Sequence, residues 1–477
     1  MNIVWIITTL LVCLSVSVKC FVLQDSGIST NLDIARIKAD VRRQKNVTDQ
    51  LIQLAVNGSA KGQLYNRLAD FVDRYGSRIS GSQNLENSIE YIKLKMKEDK
   101  LENVYGDIVE VPHWERGEES AYMMKPRYKK LTMLGLGTSI ATPPGGIHAE
   151  VLVVKTFEEL ERRASDAVGK IIVFNQDWVS YGVSGRYRFY GAARAAAVGG
   201  VASLIRSVTP FSINSPHTGS QVYNESIKKI PTACITVEDA EMMWRMSQRG
   251  ERIEIFLNMS AKNFPKTLSR NVISEIVGST YPDEVVLISG HIDSWDVGQG
   301  AMDDGAGALL GWQVLSMILQ LGSRPKRTIR SIMWTAEEFG FYGSRDYFKR
   351  HKNDSFVFVS ESDMGTFKPK GLTFGGNQDA VEVMKEVMGL LSIINATSLV
   401  TSSTDTFDGG EVTPWVRLGV PGAMLETYNE KYFYFHHSEG DTMEVLDSDD
   451  LDLCSAVWAV MAYTVANIED SLPRDFV

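Results

Sequence analysis

The chain has 477 residues, 44% hydrophobic and 23% charged, the balance of a globular protein long enough for two or three domains. A net charge of -10 argues against nucleic acid or anionic membrane as partner, since both select basic patches. Four cysteines, two of them in the first twenty residues, exclude a disulfide scaffold.

Residues 1–20, MNIVWIITTLLVCLSVSVKC, are apolar from Ile3 to Val18 and read as a secretory signal peptide cleaved near Cys20, although no Lys or Arg precedes the apolar run. An uncleaved anchor is the alternative, but the run is short for a bilayer span. No other segment is apolar enough to span, so no membrane crossing is expected after cleavage. Residues 21–50 carry the basic run VRRQK and read either as a leader, flexible or removable, or as a first helix. Six N-x-S/T sequons, at Asn46, Asn57, Asn224, Asn258, Asn353 and Asn395, join the signal peptide in pointing to a glycosylated protein, secreted or held in the lumen of the secretory pathway or lysosome. Cys234 and Cys454 either pair or are two buried thiols; the apolar run LCSAVWAVMAYTVA favours burial for Cys454.

LYNRLADFVDRYG predicts a helix stopped by Gly76, SIEYIKLKMKEDKL an amphipathic helix, and NVYGDIVEVPHW a strand; together they make residues 51–117 a first part of the main domain. From 118 to 265 the texture changes. Short runs of strand character (AEVLVV, GKIIVFN, GGVASLI, IPTACITVE) surround one Ala-rich helix, YGAARAAAVGG, which reads as an inserted β-rich domain. The main domain resumes over 266–477. There the runs NVISEIVG, EVVLISG, RTIRSIMWTA, SFVFVSES and VPGAMLE alternate with helices, which predicts an α/β fold with a mostly parallel central sheet flanked by helices.

Open α/β sheets bind ligands at the carboxyl ends of their strands. Those ends carry His291 and Asp293 after EVVLISG, Glu337 and Glu338 after IRSIMWTA, and Asp363 after FVFVSES; VPGAMLE leads to His436 and His437. The MDDGAG turn before a helix adds Asp303 and Asp304. So many carboxylates in one place repel unless a cation lies among them, and imidazole with carboxylate donors suits zinc. Two Zn2+ ions about 3.5–4 Å apart would share a carboxylate and a hydroxide, and their charge balances three ligating carboxylates plus that hydroxide. Each motif alone is weak: HxD and HH are commonly structural, DDG is a turn signal and EE a solvated face.

The order and spacing of HIDS, DDGAG twelve positions from His to Asp, TAEEFGFYGS, SESD and FHHSEGDT resemble the co-catalytic zinc exopeptidases of the aminopeptidase and glutamate-carboxypeptidase type. The insert resembles a protease-associated domain. The resemblance implies that His291 and Asp363 hold one zinc, that Glu338 and His437 hold the other, and that Asp303 bridges both. His437 is preferred to His436 because the family's ligand precedes the DT dipeptide, here starting at Asp441, by four positions. Asp293 would orient His291, Glu337 would act as general acid/base, and the Asp303–Asp304 peptide would be strained or cis. Short peptides as substrates and a homodimer are implied in the same way.

Three rivals share the fold. A metal-free receptor-like binding module fits poorly with a complete ligand set, and His291 argues against a single-zinc glutaminyl-cyclase-like enzyme. A plain aminopeptidase is not separated by the metal motifs, since a free carboxylate needs Arg or Lys and a free amine needs acids. The metal-site segments offer only Arg345 and Arg417 as a carboxylate clamp. The loop STDTFDGGEVTPW either shapes the substrate pocket or is an ordinary surface loop.

Overall fold

The computed structural model describes residues 27–474; the signal peptide expected over 1–20 lies outside the described residues. Two eight-stranded sheets carry the described chain. The first runs in the order Glu102–Glu115, Lys262–Ile276, Arg327–Trp334, Tyr281–His291, Phe356–Glu361, Gly422–Thr427, Pro369–Gly375, Ser398–Ser402. Its middle four strands are parallel. Strands such as EVVLISG are apolar almost without interruption because both of their faces are covered. Helices Ala306–Leu321 and Ser448–Asn467 pack against these strands, and Trp334, Tyr347, Phe356 and Trp415 form a further buried cluster. The expected parallel sheet is therefore present at the centre, with antiparallel pairs outside it.

The second sheet is built wholly between Glu119 and Met259, in the order Lys129–Leu131, Glu119–Lys125, Glu254–Met259, Ile147–Val154, Ile171–Phe174, Ala202–Arg206, Thr232–Ile235, Met133–Gly135. It meets the first part at a tight seam. A β-carbon on Gly137 would come within 2.4 Å of the Trp295 ring, so this close approach requires glycine.

The described part of the 21–50 segment is not a flexible arm. Gly27–Arg43 and Lys45–Val56 are helices, and Ile37, Val41, Leu51 and Ile52 are buried in the main core. Cys234 and Cys454 do not pair; both are buried thiols, near the carbonyls of Leu134 and Phe367 respectively. Of the six sequon asparagines, Asn46, Asn57, Asn224, Asn353 and Asn395 are exposed and Asn258 is half-buried in a strand. Among the described residues no helix is long and apolar enough to cross a membrane.

Candidate metal centre

Parallel register brings the predicted residues together. His291 ends its strand opposite Trp334, three residues before Glu337. On the other side Ser289 pairs with Glu361, two residues before Asp363. The turn Ala301–Gly305 leads into helix Ala306–Leu321, with a cis peptide between Asp303 and Asp304. Asp304 does not face the same way as Asp303. Its carboxylate accepts from the backbone N–H of His291 at 3.0 Å and of Gly307 at 3.2 Å, tying strand end to helix start.

Asp303 sits between two histidines. Its Oδ1 is 3.2 Å from His291 Nε2, which is also 3.2 Å from Asp363 Oδ1. Its Oδ2 is 3.2 Å from His437 Nε2, which is 3.0 Å from Glu338 Oε2. The five side chains thus fall into two His–carboxylate pairs, one on each oxygen of a shared aspartate. His436 stacks on His437 with ring centroids 3.5 Å apart, and Asp303, at 3.4 Å, is the carboxylate it reaches. Buried Asp303 Oδ2 and Glu338 Oε1 accept no hydrogen bond. A buried polar atom left without a partner is costly, and two carboxylate oxygens orphaned among imidazole nitrogens are what a divalent cation would satisfy.

The orientation of each ring is set from outside the cluster. His291 Nδ1 meets the Asp293 backbone carbonyl at 3.0 Å, whereas the Asp293 carboxylate is 3.7 Å away. That carboxylate instead accepts from the N–H of Glu337 at 3.0 Å and of Glu338 at 3.4 Å, so Asp293 holds the turn bearing both glutamates. His437 is held at φ 60°, a left-handed conformation unusual for a residue other than glycine. Its Nδ1 faces the Thr218 carbonyl at 3.2 Å, while the Thr218 N–H donates to its own carbonyl at 2.9 Å. A donating Nδ1–H leaves Nε2 as the lone-pair nitrogen that faces the carboxylates.

Several of these positioning groups escape sequence reasoning. Asp441 accepts from the backbone N–H of Ala301, Met302 and Asp303, and fully buried Arg78 donates to the carbonyls of Ile292, Gln299 and Gly300. Asp441 lies in the FHHSEGDT motif and was within reach of sequence reasoning; Arg78 has no local signal. Thr218, His217 and Arg188 come from the 118–265 segment, where nothing in the spacing marks them.

Burial and mutual repulsion dominate the charges. Burial, together with neighbouring Asp303, pushes Glu338 up to about 7, and burial and Asp303 likewise raise Asp441 to about 7. Burial, Asp363, Glu338 and Asp293 push Glu337 well above the carboxylate range. Burial opposes charge on His437, but Glu338 and Asp303 outweigh it and raise its pKa to about 9. Against the effect of burial, Asp303, between the two histidines, is held well below the carboxylate range by His291 and His437, while the acids around it and His437 shift upward, as in a cluster short of positive charge.

His217 behaves in the opposite way. Its Nδ1 lies 2.6 Å from the His436 carbonyl, and burial lowers its pKa from 6.5 to about 4. The folded value lies below the unfolded one, so unfolded chains bind the proton more readily and stability falls as pH drops below 6.5. The penalty is complete below about pH 4, at roughly 3 kcal/mol. His217→Asn, which retains an N–H donor without the titration, is expected to lose less stability between pH 7 and 5 than the wild type in urea unfolding; equal losses would refute this account.

The cluster opens on a cleft of about 590 Å³ lined by Tyr181, Arg188, Glu337, Arg345, Met364 and Phe433 among others. Arg345, named from the sequence, is at this cleft; Arg417 is exposed and does not line it. Arg188 is only 2% exposed, yet none of its contacts is a carboxylate. It donates to the Thr218 carbonyl at 3.1 Å and the Tyr181 hydroxyl at 2.5 Å, and its Nε has no partner.

The family model described as peptidase family M28 matches residues 271–462. The chain is 54% identical over 440 residues to carboxypeptidase Q of Bos taurus, covering 92% of each. It is 52% identical over 451 residues to carboxypeptidase Q of Homo sapiens, covering 94% of each. Among solved structures, the peptidase M28 precursor of Shewanella amazonensis matches with a TM-score of 0.86 and 31% identity, over 91% of this chain and 99% of that one.

Proposed function

The chain belongs to peptidase family M28 and is a metallo-exopeptidase, and from that premise we propose that it hydrolyses dipeptides and short peptides, in carboxypeptidase fashion, at two zinc ions. His291 and Asp363 would hold one ion, Glu338 and His437 the other, and Asp303 would be shared by both. The observation that carries this reading is the division of Asp303, with one carboxylate oxygen on each His–carboxylate pair. Bound zinc supplies Lewis acidity and a water of lowered pKa.

The chain's own residues do the rest. Glu337 faces the cleft with 16% of its side chain exposed, 3.9 Å from His291 Nε2. It takes the proton of the attacking water and passes it to the leaving amine. Asp293, holding the backbone of both glutamates, keeps this base in register with Glu338. Arg188 supports a carboxyl-end preference: a buried guanidinium at the cleft wall with no acid partner suits a substrate carboxylate. Relatives at over 50% identity that bear the name carboxypeptidase Q support the same direction. The aminopeptidase alternative is favoured by the acids Glu337 and Asp363 in the same cleft, with buried Glu411 close to both.

We further read residues 118–265 as an inserted, protease-associated-like domain, and the protein as secreted or delivered to the lysosomal lumen, supported by the N-terminal apolar run and the exposed sequons. The homodimer rests on family resemblance.

A dipeptide library assayed with and without chelator, with ends free or blocked, tests the proposal. Cleavage should vanish with chelator and return with zinc. Arg188→Gln should raise KM for peptides with a free carboxyl end by about 10-fold or more, as expected on losing a charged hydrogen bond, with little change for the amidated forms. Equal effects on both would remove Arg188 from this role.

A further inference from the structure

The stretch His217–Ser220 of the second sheet's segment holds one side of the cluster and not the other. Thr218 clasps His437 by both of its main-chain groups, its N–H on the His437 carbonyl at 2.9 Å and its own carbonyl facing Nδ1 at 3.2 Å. Further along, the Ser220 hydroxyl donates to the Glu338 carbonyl at 2.6 Å. His437 and Glu338 form one His–carboxylate pair, 3.0 Å apart. The other pair is served from elsewhere. His291 is held by the Asp304 carboxylate and the Asp293 carbonyl, and the Asp363 carbonyl accepts from the Tyr432 hydroxyl. Among the described residues no hydrogen bond runs from 119–259 to His291 or Asp363.

The stretch is braced from behind. The Thr218 hydroxyl donates to the Gly135 carbonyl at 2.8 Å, and Arg116 donates to the same carbonyl. Arg116 is also paired with Asp296 through two hydrogen bonds, at 2.7 and 2.5 Å, with side chains only 10% and 20% exposed. A two-point guanidinium–carboxylate pair fixes orientation as well as distance. Asp296 belongs to the HIDSWD loop that begins at His291, so the brace ties the stretch to the strand end of the first sheet. Gly219, at φ 142°, lets the chain pass: a β-carbon there would lie 2.4 Å from the Arg188 guanidinium carbon.

Groups that orient a ligand from outside change metal affinity by about 10–100-fold. Hydrogen bonds made to one ligand pair alone should act on one position alone. We propose that Thr218 and Ser220 are positioning residues for the Glu338–His437 position only. Filling that position and seating the stretch then favour each other, while the His291–Asp363 position fills without it. The coupling is reciprocal: whatever the seated stretch adds to metal affinity returns as stability of the seated stretch. This rests on the two-zinc reading and deepens it by making the two positions unequal.

The test titrates zinc calorimetrically into chelator-stripped, full-length wild type, Ser220→Ala, Ser220→Thr and Thr218→Val. Wild type should take up two ions. Ser220→Ala and Thr218→Val should each weaken one step by about 10–100-fold and leave the other at the wild-type value. Ser220→Thr keeps the hydroxyl and should bind as wild type does. Should the variants fold poorly, hydrogen exchange of wild type serves: protection of the Thr218 N–H should rise with one of the two ions and not with the other. Equal weakening of both steps, wild-type binding by Ser220→Ala, or Thr218 protection indifferent to zinc would each overturn the proposal and leave the two-zinc reading in place. Wild type that binds no zinc would overturn that reading, and this proposal with it.

Discussion

Glu337→Gln is expected to lower kcat by about 10²–10⁴-fold, the range of a lost general acid/base, while the bound zinc stays at the wild-type level. Glutamine matches the size of glutamate, and the anchor that holds this turn is the backbone N–H of Glu337 on Asp293 Oδ1, which the substitution leaves intact. Neither His–carboxylate pair includes Glu337: His291 meets Asp303 and Asp363 at 3.2 Å, but Glu337 only at 3.9 Å. An amide cannot take up the proton of the attacking water, so the loss should fall on turnover rather than on KM. Single-turnover rates and elemental analysis of the same preparation decide it. Full activity would remove the assigned role, and loss of zinc would make Glu337 a ligand instead.

Asp303→Ala should have a comparable effect by a different route, with bound zinc falling below the wild-type stoichiometry and activity falling with it. Removing an indirect partner of a ligand commonly costs 10–100-fold in metal affinity or activity, and Asp303 contacts the histidines of both pairs directly. Asp303→Asn is the sharper comparison, since its amide leaves a single acceptor oxygen where the carboxylate has two. It should therefore weaken one position more than the other, visible as two separated steps in zinc titration. Two equally tight sites in either variant would show that Asp303 is not shared.

The convergence of these side chains was legible because most of them ride on the strand ends. EVVLISG can only be a strand covered on both faces, and a parallel neighbour such as RTIRSIMW fixes His291 and Glu337 at the same end. Asp363 follows from SFVFVSES in the same way. The flanking strands Pro369–Gly375 and Ser398–Ser402 were not legible: SLVTS is half exposed and polar, so its composition carries no burial signal. Nor was the contribution of the second sheet. His217 and His436 are 219 positions apart, and a backbone carbonyl that orients a ring leaves no trace in residue identity. Arg188 and Glu411 look like surface charges in sequence; only the folded chain shows them buried, Arg188 with no carboxylate among its partners. The segment around VRRQK left a leader and a first helix equally open in sequence; in the fold it is helical, with Ile37 and Val41 in the core.

Through the contacts of His217 and Thr218 with His436 and His437, the 119–259 segment helps to build the proposed metal centre. Excising that segment and rejoining its flanks would leave His437 free to flip its ring, and the cleft would lose the wall that bears Arg188. A minimal peptidase cut from this chain would retain every predicted ligand and still bind zinc poorly. On the proposed site, the two sheets would act as one unit, and neither would be expected to work when transplanted alone.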